Sequence, residues 1–139
     1  MILYIDENLP PVLVEAFSLL QSKLLPSKKY GFGLELRSIK KEFGQGAKDE
    51  DWVPLAGKDK AFVLTQDYNI QRISHQKELC EKFKLGMFYF RPPSKTGFDY
   101  WSIVKLFVKH WPELLTIIKK EKGPFAYKVT SNSKGFEKV

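Results

Sequence analysis

Two short apolar runs in this chain break off into polar, acidic tips. Residues 2–5 (Ile-Leu-Tyr-Ile) end at Asp6, Glu7 and Asn8, and residues 61–64 (Ala-Phe-Val-Leu) end at Thr65, Gln66 and Asp67. An unbroken apolar run this short reads as a strand buried on both faces, which is the habit of parallel sheets covered by helices. In such open sheets ligands bind at the carboxyl edge, just where these polar tips fall.

The segments between the runs carry the matching helical signals. Asn8 is placed to cap a helix with Pro10 and Pro11 in its first turn. Its stripe is Val12, Leu13, Ala16, Phe17, Leu19 and Leu20, ending near Leu24 before Pro26. Residues 28–33 read as a turn, residues 34–39 as a second strand and residues 43–46 as a loop. Asp49 reads as the N-cap of a short helix over residues 52–57, with Pro54 in or near its first turn. Ile70, Ile73, Leu79 and Phe83 follow a helical spacing that Gly86 ends, and residues 87–90 form a fourth strand. Asp99 caps a longer helix with the stripe Trp101, Val104, Phe107, Val108 and Trp111. Pro112 either kinks that helix or starts another. Residues 125–129 alternate as a last, edge strand, and a polar, loose tail begins at about residue 131.

Strands alternating with helices predict an α/β fold: a three-layer sandwich around a mostly parallel sheet of four to five strands, in one domain spanning residues 1–139. The 43% hydrophobic content supports a globular core. Cys80 is the only cysteine, which excludes a disulfide framework and a thiolate metal site. No apolar run is long enough for a membrane span, and Asp6 falls too early for a signal peptide, so the expected location is cytoplasmic. The formal charge is +7 with a pI near 9.4, which favours either a polyanion such as nucleic acid or an ordinary solvated basic face.

The candidate chemistry lies in the carboxylates. Asp6 and Asp67 leave the same sheet edge if their strands are parallel neighbours, and the helix opened by Asp49 starts near that edge. Taken singly, Asp49 is a cap, Asp51 a first-turn acid favoured by the helix dipole, and Asp6 and Asp67 turn residues. Taken together they would repel one another unless a cation neutralised them. An all-oxygen set suits Mg²⁺ or Mn²⁺, with Asp6, Asp49 and Asp67 as ligands and Asp51 a weaker candidate. Asn8 and Thr65 are placed to orient carboxylates or water. Arg72, Arg91 and Lys95 are candidates for holding a phosphate backbone, and Tyr68 for stacking on a base. His75 and His110 have no partner at ligand spacing.

The order Asp6 after a strand, Asp49 opening a helix with Ala56 seven positions on, and a strand ending in Thr65-Gln66-Asp67 resembles the PIN domain. The start Asp6-Glu7-Asn8-Leu9-Pro10 is similar to small PIN-like families allied to VapC-type toxins. The likeness covers the chain to about Phe90. It implies a Mg²⁺- or Mn²⁺-dependent endoribonuclease acting on RNA, often the toxin paired with a small antitoxin protein. It assigns metal-binding and catalytic roles to Asp6, Asp49 and Asp67 and a supporting role to Thr65. Asn69 stands where many PIN domains carry a further acid, and Glu42 lies in the interval of another without a recognisable motif. The alternative is a catalytically inactive PIN-like module that binds nucleic acid or protein. The Trp101, Phe107 and Trp111 stripe is either core or a face for a homodimer.

Overall fold

The computed structural model describes residues 1–23, 33–67 and 69–139. Six strands form one sheet in the order β2-β1-β3-β4-β5-β6. They are β1 (Ile2–Ile5), β2 (Glu35–Ser38), β3 (Phe62–Gln66), β4 (Gly86–Phe90), β5 (Phe125–Val129) and β6 (Glu137–Lys138). The first five run parallel and β6 is antiparallel to β5. The helices are α1 (Pro11–Lys23), α2 (Ile39–Phe43), α3 (Asp49–Lys58), α4 (Ile70–Phe83) and α5 (Tyr100–Lys120). This is the expected three-layer α/β sandwich, with one more strand than the sequence suggests. Among the described residues, no helix is long and apolar enough to cross a membrane.

Alternation along the strands divides the core in two. Leu3, Ile5, Phe62, Leu64, Phe88 and Phe90 face α1 and α5. Tyr4, Val63, Met87 and Tyr89 face the layer of α2, α3 and α4. Both sides are apolar, so β1, β3 and β4 read as unbroken hydrophobic runs. On the first side, Phe17 of α1 packs on Phe107 and Trp111 of α5 at centroid separations of 5.0 and 4.7 Å.

Several local expectations are corrected. The side chain of Asn8 does not cap α1; it crosses to the end of β3 instead. Lys48 occupies the N-cap position of α3 and Asp49 is the first helical residue, which frees its carboxylate for other donors. Pro54 lies inside α3 rather than at its start. The loop expected at residues 43–46 begins with the end of α2, a single turn capped by Ser38 and too short to show periodicity. Lys84, at φ 61°, ends α4 in the left-handed region. Gly86 serves a different purpose: a Cβ there would lie 2.4 Å from the Phe125 ring and 2.7 Å from that of Phe62. Pro112 does not start a second helix; α5 continues through it. Pro112 and Val108, whose carbonyl loses its helical donor, are both exposed. The inward stripe of α5 is Ile103, Phe107, Trp111, Leu114 and Ile118, while Trp101 and Val108 are 69% and 63% exposed. The tail is held rather than loose. Both carboxylate oxygens of Glu113 accept the Phe136 amide at 3.1 Å, the Phe136 ring packs against Phe88, and β6 covers β5. The turn expected at residues 28–33 and the end of the first helix near Leu24 fall largely outside the described residues.

Candidate active site at the carboxyl edge of the sheet

β1 and β3 are hydrogen-bonded neighbours, with Ile5 opposite Leu64. The ladder continues one step, because the Asp6 amide donates to the Leu64 carbonyl at 3.0 Å. Asp6 therefore sits beside Thr65, and the Thr65 hydroxyl donates to Asp6 Oδ2 at 2.6 Å. The Glu7 amide donates to Asp6 Oδ1 at 2.7 Å. These donors favour the carboxylate, but burial outweighs them and pushes the Asp6 pKa up. The charge of Asp49 adds to that push.

Asn8 extends the same junction. Its side-chain Nδ2 donates to the Gln66 carbonyl and its Oδ1 accepts the Gln66 amide at 3.4 Å. The side-chain amide thus substitutes for a peptide unit and continues the ladder after β1 has ended. Gln66 answers by donating from Nε2 to the Asn8 carbonyl at 2.6 Å, while its Oε1 accepts the Phe98 amide at 3.4 Å. One glutamine thereby ties together the loops that follow β1 and β4.

Asp49 enters from α3. Both its oxygens are held, Oδ1 by Trp52 Nε1 at 3.1 Å and Oδ2 by Gln76 Nε2 at 3.0 Å. Asp51 is exposed, with its place in the first helical turn as its only described structural tie. Asp67 is 7% exposed. Its Oδ1 accepts the Asn69 amide at 2.9 Å, and its Oδ2 lies 3.4 Å from Arg72 Nε. Asn69 caps α4 through the amides of Gln71 and Arg72. Glu42 is exposed on α2.

A cavity of about 220 Å³ opens beside Asp67, lined by Asn8, Gln66, Arg72, Pro92, Lys95 and Gly97 among others. Arg72 and Lys95 thus share a wall with Asp67. Arg91 does not line this cavity; it is half-buried where the chain leaves β4. Tyr68 lies outside the described residues.

The structure thus gathers Asp6, Asp49, Thr65 and Asp67 on the side of the sheet covered by α3 and α4, with the edge basic beyond Asp67. Among the described residues, no group of three or more His, Cys, Asp or Glu side chains is close enough to hold a metal ion as the side chains stand. The donor chemistry nonetheless fits a hard divalent cation: every acid offers oxygen only, and among the described residues neither Asp6 nor Asp49 has a cationic partner. Gln76, Trp52 and Tyr89 enter the site without having been expected, and Gln66, read only as part of a polar tip, ties its loops together. The readable signal was the spacing Ile73, Gln76, Cys80, which sets a polar residue on the buried side of α4.

An open, mostly parallel α/β sheet with acids at its carboxyl edge defines a class of fold that hosts nuclease-type sites. The family model described as PIN like domain matches residues 1–92, two thirds of the chain, and this protein belongs to that family. The match takes in the acids and ends just beyond β4; α5, β5 and β6 lie outside it. Comparison with curated proteins and with solved structures gives no match.

Proposed function

We propose that this PIN-like protein is a Mg²⁺- or Mn²⁺-dependent endoribonuclease and that residues 1–139 act as one functional unit. The observation that supports the proposal is that Asp6, Asp49 and Asp67 come from three separate elements to the same end of the sheet, Asp6 and Asp49 near enough for their charges to interact and Asp67 beside a cavity walled by Arg72 and Lys95. Asp6, Asp49 and Asp67 would hold the cation, with exposed Asp51 at the periphery. A bound cation of this kind lowers the pKa of its water and polarises a phosphodiester. Thr65 and Asn8 fix the carboxylates and the strand ends that carry them. Arg72 and Lys95 bind the phosphates flanking the scissile one, with Arg91 further along the same loop. Tyr68 is assigned to base stacking and Asn69 to holding the start of α4.

As a toxin, such a nuclease would be silenced by a small antitoxin that places a basic side chain among the acids. A partner reading frame beside the gene is the expectation.

A second reading, a binding module without cleavage, is favoured by one contact: Arg72 already neutralises Asp67. A titration of Mg²⁺ and Mn²⁺ against single-stranded RNA separates the two. The nuclease cuts only with metal and loses cutting in Asp67→Asn. Salt-sensitive binding with no cleavage in either protein refutes it in favour of the module.

A further inference from the structure

We propose that Tyr89 and Gln76 are positioning residues for the acidic edge, forming with Asp49 a buried polar layer that holds a water of a bound divalent cation. The proposal rests on the nuclease function given above and adds two residues to it.

Tyr89 is 0% exposed, and its hydroxyl is fully buried with no hydrogen-bond partner among the described residues. It stands opposite Thr65 in the parallel ladder of β3 and β4. The two side chains therefore rise from the same face, and Thr65 is bonded to Asp6. The Tyr89 ring packs in the layer that contains Trp52 and Cys80. Gln76 lies one helical turn before Cys80, on the same side of α4. Its Nε2 holds Asp49, and its Oε1 is also buried without a partner among the described residues.

One donor and one acceptor thus go unpaired in the layer packed on this face of the sheet, the acceptor on the residue that holds Asp49. A phenylalanine and a methionine would fill this space without burying unpaired polar atoms. Native proteins satisfy nearly all such groups, and exceptions mark ordered water or functional sites. A water needs two to four polar partners, and the unpaired Tyr89 hydroxyl and Gln76 Oε1, with Asp49, are the groups assigned to it by the proposal. A phenol keeps its proton at neutral pH and so remains a donor. A neutral donor can sit near three acids where a fourth acid would add repulsion.

The test is Mn²⁺ binding to the full chain without RNA, by calorimetry, alongside melting in EDTA and in Mn²⁺. Tyr89→Phe is expected to melt at or above the wild-type temperature in EDTA, yet to bind Mn²⁺ about tenfold more weakly. Gln76→Met reports through the same readout and serves should Tyr89→Phe fail to fold. Tyr4→Phe, on the same sheet face but outside the acid layer, keeps wild-type affinity. Wild-type affinity in both Tyr89→Phe and Gln76→Met overturns the proposal and leaves the nuclease reading standing. A wild-type protein that binds no Mn²⁺ overturns both.

Discussion

Replacing Thr65 by valine tests the junction of β1 and β3 with little change in shape. Thr65 is 2% exposed, so valine fills the same space and leaves no cavity. What is lost is the 2.6 Å bond to Asp6 Oδ2 and the weaker acceptance from Asn8 Nδ2 at 3.3 Å. A hydrogen bond to a charged acceptor contributes roughly 1.5–3 kcal/mol, so the cost at neutral pH is about 2 kcal/mol. With about 2.1 cal/mol/K of unfolding entropy per residue over 139 residues, that lowers the melting temperature by about 7 °C. The effect depends on pH, with a sign that follows from Asp6. Its folded pKa is raised above the ordinary 3.8, so the fold binds that proton more tightly than the unfolded chain does. The stability this contributes is present at low pH and lost as pH rises through the folded pKa. Thr65 opposes the loss by favouring the carboxylate. Thr65→Val therefore raises the Asp6 pKa further and costs most where Asp6 is charged. Melts of both proteins at about pH 7.5 and about pH 4 should show a deficit that shrinks on acidification. Carboxyl ¹³C titration should show Asp6 moving up. An equal deficit at both pH values, or none, would refute the bond's role in holding the carboxylate.

Gly57→Ala sets two effects against each other: helix propensity alone gains about 0.5–1 kcal/mol, but a Cβ there would lie 2.7 Å from the Phe83 carbonyl oxygen. Backbone cannot yield as a side chain can, so the expected sign is a loss, of about 1–3 kcal/mol, read from denaturant melts. Burial, followed by the charge of Lys109, holds His110 below its ordinary 6.5, with Glu113 pulling the other way. Stability is then full above about pH 6.5 and falls as pH drops towards the folded value; His110→Leu should flatten that slope in thermal melts. Glu113→Ala removes both acceptors of the Phe136 amide. Hydrogen exchange should quicken at residues 136–138 and stay unchanged in β1 and β3.

Much of the layer order was legible because β1, β3 and β4 are buried on both faces and carry runs that helices cannot explain. The acids at their ends were legible for the same reason: strand position alone fixes where Asp6 and Asp67 emerge. Side-chain partners were not. Asn8 has the composition of a cap and the position of one, yet the end of β3 offers it a backbone amide and carbonyl together, and two bonds outcompete a single cap. Asp49 likewise looked like a cap, but Gln76 and Trp52 draw it inward. Trp101 and Val108 misled through residue type, since α5 buries Ile103 and Leu114 on a face more than about 100° round the helix from both. β6 spans two residues, below the length at which any period can be seen.

The remaining question at the site is whether the Arg72–Asp67 contact closes it. Asp67 is buried, but Arg72 is 65% exposed, and the pair spans 3.4 Å through Nε rather than as a two-pronged fork. A pair with one partner in water contributes on the order of 1 kcal/mol or less, because water screens it and the long side chain loses freedom to make it. In the proposed site a divalent cation at Asp67 would carry twice the charge that Arg72 supplies and would draw on Asp6 and Asp49 as well. Displacement of Arg72 thus costs little. Once released, its guanidinium stands at the mouth of the cavity that Lys95 also lines, where a phosphate offers it a bidentate partner. The contact that argues for an inactive module is therefore also the one that an arriving RNA and cation would exchange. Arg72→Ala accordingly separates the two readings: in a nuclease it weakens RNA binding without weakening Mn²⁺ binding. An Arg72→Ala protein that neither binds Mn²⁺ nor changes in RNA affinity would show that the pair is structural and the module reading correct.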